Sequence, residues 1–318
     1  MSKERPTYQQ FPIGKDDIGR RLDRLVRKFL NGQSLGTIYG AIRRGDIRVN
    51  GAKAKGDYRV TVGDRIYVLQ GISPEPTESP PKASLELALP AWFRGSILIE
   101  NDHLIALNKP AGVLVHGNSS LQTAVLEYLL PTQDPSLSFT PGPLHRLDRN
   151  TSGIILFGKS ITGSTRFTSL LRSHSIEKRY LVLLQGRLTG EATWVDRLSR
   201  NSGAKKTVES DGGREVTCHV EPLSASDRAT LALVSMRSGF THQIRAQAAL
   251  HSHPLAGDKK YGALPARGLV LHACSLKLDY HDTVLGFRTL AAPVPPESLR
   301  LLREYFEEKH LHRVLEGI

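Results

Sequence analysis

Between Gly71 and Pro90 the chain carries five prolines (Pro74, Pro76, Pro80, Pro81 and Pro90) among Ser, Thr and Glu. Each proline fixes φ and removes a backbone donor, so such a stretch suits neither a helix nor a central strand. A semi-extended linker over 72–92 is therefore expected, and it divides everything else. A chain of 318 residues is long for one domain and comfortable for two. The expected order is an N-terminal arm (1–18), a small module (19–71), the linker, and a larger domain (93–318). At 39% hydrophobic residues there is enough apolar mass for a core.

Charge separates the two parts further. Residues 19–71 hold twelve Lys/Arg against four acids, an excess of eight within a formal net charge of +12. Two thirds of the net charge thus sits in one sixth of the chain, and phosphate backbones are the usual reason for such a concentration. No run approaches the length of a membrane span, and Met1–Arg5 begins no apolar signal segment, so a cytoplasmic protein with no membrane partner is expected. Cys218 and Cys274 are far apart and form no CxxC pair, while His251-x-His253 and His272-x-Cys274 are too sparse for zinc. Reduced thiols and no metal are the expectation.

Within the basic module, Leu22, Leu25, Val26, Phe29 and Leu30 repeat with helical period, and Asn31-Gly32 stops that helix. Arg20, Arg24 and Arg27/Lys28 form a basic stripe on its other face. Ser34 is placed to cap a second helix with apolar positions Leu35, Ile38, Tyr39 and Ile42, ending at Arg43 and Arg44. Ile47 and Val49 then alternate with polar residues, Asn50-Gly51 supplies a hairpin turn, and Val60, Val62, Ile66 and Val68 follow. Two short basic helices followed by this ribbon, with the run RRGDIRVNG, resemble an S4 RNA-binding domain. The resemblance implies that Arg20, Arg24, Lys28, Arg43, Arg44 and Arg48 hold folded RNA through phosphates and shape.

Beyond the linker, strands are expected at Ile97–Ile99, Leu104–Leu107, Ile154–Phe157, Glu177–Leu184, Val216–Val220, Leu231–Val234, Leu269–Leu278 and around Phe287. Helices are expected at Ala124–Leu130, Thr162–Arg172, from Ile244 to near His251, and as one amphipathic closing helix over Glu297–Leu315. Many strands with few intervening helices give an α+β class with a mainly antiparallel mixed sheet. No Gly-rich nucleotide loop and no internal repeat is present.

The chemistry concentrates at Leu144-His145-Arg146-Leu147-Asp148-Arg149-Asn150-Thr151-Ser152-Gly153, which opens onto the apolar run Ile154–Phe157. One carboxylate lies between two arginines at the mouth of a buried strand, where nearby cations favour its ionised form. That is the setting a carboxylate nucleophile needs. Taken alone, Asp148 reads first as a turn cap. Lys109, in the turn Asn108-Lys109-Pro110, reads as a turn residue before a phosphate contact.

Four blocks in order change that ranking: NKPAGVLVHG (108–117), HRLDRNTSGIILFGKS (145–160), EKRYLVLLQG (177–186) and GFTHQIRAQAALHSHPLAGDKKYG (239–262). Together they resemble the RluA family of pseudouridine synthases, closest to the RluC-type enzymes that modify large-subunit rRNA. The resemblance implies that Asp148 attacks the target uridine, at uracil C6 or at ribose C1′. It implies that Arg146 fills the space left by the flipped base, that Tyr180 packs on the uracil face, and that Arg245 pairs with Asp148. It further implies no cofactor, with RNA as the partner, most plainly large-subunit (23S) rRNA. No obligate protein partner is evident and a monomer is expected. His145, Thr151, Ser152 and His242 are read as structural hydrogen-bonders. The family writes G-R-T-H-Q-I-R where this chain has Phe240 in place of the first arginine, which makes that loop less basic. One rival is a non-catalytic RNA-binding or ribosome assembly factor, which explains the charge but not the arginines around Asp148. A carboxylate-dependent hydrolase is the other, but Asp258 reads as a carboxylate in a remote turn and Glu177 precedes two cations, so the second carboxylate such an enzyme needs is missing.

Overall fold

The computed structural model describes residues 6–316 apart from 31–32, 73–88, 118, 133–135, 202, 204–205 and 265. Most of the expected linker, and the Asn31-Gly32 helix stop, therefore lie outside the described residues. Contacts divide the chain into two units, 1–91 with 125–141, and 92–124 with 142–318.

In the first unit, α1 (Leu22–Phe29) and α2 (Leu35–Arg44) form where the apolar period places them. The Ser34 hydroxyl accepts from the Thr37 amide as the N-cap, and Gly45 ends α2 in the left-handed region at φ 86°. Strands β1 (Tyr8–Pro12), β2 (Ile47–Val49), β3 (Ala52–Lys53) and β4 (Arg65–Leu69) make an antiparallel sheet in the order β1-β4-β2-β3. Asn50 and Gly51, with φ of 52° and 81°, form the turn between β2 and β3.

Part of the arm is not loose. Tyr8–Pro12 pairs with β4 along its length, and Phe11 and Ile13 pack against the core of Leu22, Leu25, Ile38, Ile47 and Ile66. The open edge of β4 supplies hydrogen bonds that the short arm cannot make for itself. Asp17 is fully buried and accepts from the Leu137 and Ser138 amides and from the Ser136 and Ser138 hydroxyls. Leu137 also packs on this core. These contacts bring 125–141 into a unit that the sequence reading ends at residue 71.

The second unit holds β5 (Ile97–Glu100), β6 (Leu104–Lys109), β7 (Gly142–Pro143), β8 (Ser152–Gly158), β9 (Ile176–Gln185), β10 (Ala192–Asn201), β11 (Lys206–Glu209), β12 (Arg214–Ala225), β13 (Ala229–Met236), β14 (Leu271–Asp282) and β15 (Phe287–Ala291). Its helices are α4 (Ile161–Arg172), α5 (Gln243–Leu250), α6 (Pro296–Leu302) and α7 (Glu308–Leu315), while α3 (Leu121–Leu129) crosses the unit boundary in sequence. The strands form one eleven-stranded sheet in the order β11-β10-β12-β13-β9-β14-β8-β6-β5, with β15 added to β14 and β7 to β8. Among the described residues β14 with β8 is its one parallel pair, so the α+β, mainly antiparallel expectation holds.

Strand β9 shows why its run Leu181–Leu184 is continuously apolar. Val182 and Leu184 pack with Ile244 and Ala248 of α5, while Leu181 and Leu183 pack with Leu302 of α6 and Leu311 of α7. Both faces are covered, so alternation disappears. The expected single closing helix is instead α6 and α7, broken around 303–307. Tyr305 and Phe306 lie at the break and pack on the same cluster as Leu302 and Leu311. Strands β10 and β11 were not expected from the sequence. The free thiols of Cys218 and Cys274 are buried in separate clusters. No helix among the described residues is long and apolar enough to cross a membrane.

Candidate active site

Asp148 stands in the loop that leads into β8, and that loop is clamped from the side by the 109–113 turn. Gly112 donates its amide to the Arg149 carbonyl at 2.9 Å, and Arg149 Nε returns a bond to the Gly112 carbonyl at 3.0 Å. The fully buried Lys109 ammonium donates to the carbonyls of Pro110, Val113 and Arg149 at 3.0, 2.9 and 3.0 Å. Burial lowers the Lys109 pKa to about 8 against the opposing charge of Asp148. Lys109 is therefore a turn residue, and it ties two of the sequence blocks together.

Gly153, one residue into β8, has a φ of 108°, and a Cβ there would stand 2.3 Å from the Ala273 carbonyl oxygen. Only glycine lets β14 run this close beside the end of the loop. Ser152 Oγ lies 3.0 Å from His272 Nδ1 behind it, and Thr151 is buried. His145 Nε2 accepts from the Leu156 amide at 3.1 Å. Burial, with Lys178 nearby, lowers the His145 pKa to about 3, so the ring is neutral at pH 7. Ser152 and His145 thus make hydrogen bonds within the scaffold, and Thr151 is buried beside them.

Asp148 itself remains partly accessible, with a side chain 27% exposed. Its Oδ2 accepts from Arg245 Nη1 at 3.2 Å. Arg245, on α5, is fixed from behind by Asp258, accepting at 2.6 Å from Nε and 2.7 Å from Nη2. Burial by itself would lower the Arg245 pKa, but the hydrogen bonds and charge of Asp258, joined by Asp148, hold it above its ordinary value. Asp258 is 3% exposed and holds Arg245, so its turn is not remote from Asp148 but braces the arginine that meets it.

His242, at the N-cap of α5 with a φ of 56°, places Nε2 3.4 Å from Asp148 Oδ2 and Nδ1 3.0 Å from the Tyr261 hydroxyl. The Tyr261 hydroxyl in turn accepts from the Thr207 amide at 2.9 Å. Burial holds the His242 imidazole below its ordinary pKa, although Asp148 pulls the other way. The sequence reading leaves His242 and Asp258 out of the site. A spacing of three before Arg245, at the start of a helix, was the available signal for His242.

A cleft of about 570 Å³ opens in front of the carboxylate, lined by Arg146, Asp148, Lys178, Tyr180, Phe240 and His242 among others. A recess of about 70 Å³ shares Asp148, Tyr180 and His242 with it and adds Arg245 and Leu271. Tyr180, half-buried in β9, has its phenol pKa raised by burial and then by the Asp148 charge, so it is neutral. Arg146 is exposed at the cleft. Phe240 packs against Leu198, Val216, Ala246 and Tyr261, so the residue that departs from the expected arginine is an apolar support beside His242. The structure thus brings Arg146, Asp148, Tyr180 and Arg245 together.

In the first unit Arg24, Lys28, Arg43 and Arg44 are exposed and Arg20 is half-buried. Arg44 is paired with Asp46 at 2.8 Å. Arg48 donates to the Gly45 carbonyl at 2.9 Å and lies 4.6 Å over the Tyr8 ring, so internal contacts already hold its guanidinium.

Residues 103–250 match a family model described as RNA pseudouridylate synthase, and residues 20–66 match the S4 domain. The chain is 32% identical over 296 residues to the ribosomal large subunit pseudouridine synthase C of Yersinia pestis, covering 89% of this chain and 91% of that one. Against the protein of the same name from Escherichia coli K12 it is 32% identical over 319 residues, covering 96% and 98%. The solved structure titled human RNA pseudouridylate synthase domain containing 4 shares its fold, with a TM-score of 0.55 at 18% identity over 66% of this chain and 93% of that one. Given 32% identity along nearly the whole of both chains, this protein belongs to the RNA pseudouridylate synthase family.

Proposed function

We propose that this enzyme isomerises uridines of large-subunit ribosomal RNA to pseudouridine, with Asp148 as its nucleophile. The reading rests on one observation above the rest: a single cleft carboxylate aimed by an arginine that a second, buried carboxylate holds in place. In the reaction the N1–C1′ bond breaks, the uracil turns, and a C5–C1′ bond forms. The C5 proton leaves and N1 gains one, so no electrons are transferred and no redox cofactor is called for. Attack at C6 or at C1′ would use the same aimed oxygen.

A uridine in a helix must leave the stack to reach this cleft. Arg146, exposed at the cleft, is suited to occupy the vacated space, because a planar guanidinium both stacks and hydrogen-bonds. Tyr180 offers its ring to the uracil face. Arg245 orients Asp148 and keeps a positive charge against it. Arg20, Arg24, Lys28 and Arg43, with Arg44 and Arg48 beside them, offer the phosphate contacts that hold structured RNA. The relatives named above act on the large ribosomal subunit, which supports that substrate for this chain. We place the protein in the cytoplasm as a monomer with no obligate protein partner. A non-catalytic assembly factor would leave the Asp148–Arg245–Asp258 arrangement without a purpose.

The test is to map pseudouridines in large-subunit rRNA from cells with and without this protein. Discrete sites should revert to uridine when it is absent and return on re-expression. An unchanged map would overturn the reading.

A further inference from the structure

Helical period assigns Leu35, Ile38, Tyr39 and Ile42 to one apolar face of α2, but only two of them are buried. Ile38 and Ile42 are 1% and 4% exposed, whereas Leu35 and Tyr39 are 50% and 45% exposed. Leu35, Tyr39 and Arg43 follow one another at intervals of four, so they share an outward stripe. The Tyr39 ring is held in place there. Its hydroxyl donates to Asp23 Oδ2 at 3.1 Å, and Asp23, 6% exposed, is gripped by Arg21 through Nε and Nη2 at 3.2 and 2.8 Å. Beside the ring lies Gly56, where a Cβ would come within 3.4 Å of Tyr39 Cε1. Glycine leaves that flank of the ring open, where a Cβ would make ordinary van der Waals contact with it. Next to Tyr39 is a hollow of about 600 Å³ lined by Arg43, Lys53, Lys55 and Gly56, with no acidic residue in its wall.

We propose that this hollow is a nucleotide subsite, in which one unpaired RNA base stacks on Tyr39 while Arg43, Lys53 and Lys55 meet the phosphates on either side. A preset aromatic ring ringed by cations matches a ligand that is flat and apolar on one side and anionic on the other. An apolar protein helix would instead bury three cations without partners. Because paired bases have their faces covered by neighbours, the site reads a loop, bulge or end rather than a duplex. The inference rests on the reading that the substrate is RNA, but it needs no chemistry at Asp148.

The full chain is irradiated with a single-stranded oligoribonucleotide carrying 5-iodouridine, a base that crosslinks to stacked aromatic rings, and the adducts are mapped by peptide mass spectrometry. Tyr39 is the expected adduct, retained in Tyr39→Phe. In titrations with oligouridylate, Tyr39→Ala should bind roughly tenfold more weakly, as expected for one lost base stack. A blunt RNA duplex should bind wild type and Tyr39→Ala alike, with the same salt slope. Adducts confined to other residues would overturn the proposal. So would unchanged oligouridylate affinity, or an equal loss on duplex and single strand. Failure of the isomerase reading shows separately, as wild-type protein that forms no pseudouridine.

Discussion

Asp148 is aimed by contacts that lead away from the cleft. Arg245 gives two of its nitrogens to buried Asp258 and a third to Asp148, while His242 is held between Asp148 and Tyr261. A fork with one fixed side has little freedom on the other, which is how a partly exposed carboxylate keeps one orientation. His145 belongs to the scaffold and carries a pH signature. The unfolded chain takes up a proton on this ring near pH 6.5, but the folded chain only near pH 3. Between those values the unfolded state binds more protons, so stability falls as pH falls, by about 1 kcal/mol per pH unit from this group. Thermal melts between pH 7 and pH 4 should therefore decline more steeply for wild type than for His145→Gln, which keeps an acceptor for the Leu156 amide without titrating. Parallel curves would remove His145 from the account. At this scale Asp148, Tyr180 and Arg245 were legible because each lies in a distinct sequence block. Asp258 was not, because a turn carboxylate thirteen residues after Arg245 looks solvent-facing until its burial is known.

At the scale of elements, the site depends on β8 and β14 lying parallel and close, with Gly153 against the Ala273 backbone. Gly153→Ala adds a methyl group at 2.3 Å from a carbonyl oxygen and forces an alanine into the left-handed region. The expected cost is roughly 2–4 kcal/mol, read as a lower urea midpoint at an unchanged slope. A wild-type midpoint would mean that β14 yields at little cost. Buried strands such as β8 and β9 were legible from their continuous apolar runs, and α2 from its Ser34 cap. The arm strand β1 was not, because its pairing comes from the open edge of β4 rather than from its own residues. The break between α6 and α7 carries no Gly or Pro to announce it, so the continuous apolar period read as one helix.

For the whole molecule, the cationic excess and Asp148 belong to different units. Affinity for RNA and chemistry on uridine should therefore separate under mutation. Replacing Arg20, Arg24, Lys28 and Arg43 together by Gln should weaken rRNA binding and reduce the slope of log affinity against log salt by up to roughly three. Turnover at saturating RNA should remain. An unchanged slope would mean that these side chains do not meet phosphate. Deleting residues 1–71 alone is a poorer test, because the Leu137 and Ser138 amides, which stay behind, would lose Asp17 as their acceptor. The basic module was legible from its charge, but the return of 125–141 to the first unit rests on Asp17 and Leu137, whose burial no local pattern marks. In the proposed reaction one carboxylate performs the chemistry. The most direct test is single-turnover pseudouridine formation by Asp148→Asn, which keeps the side chain's shape and removes its charge. The variant should bind rRNA nearly as well as wild type, with isomerisation reduced at least roughly 10⁴-fold. Isomerisation near the wild-type rate would contradict that role for Asp148.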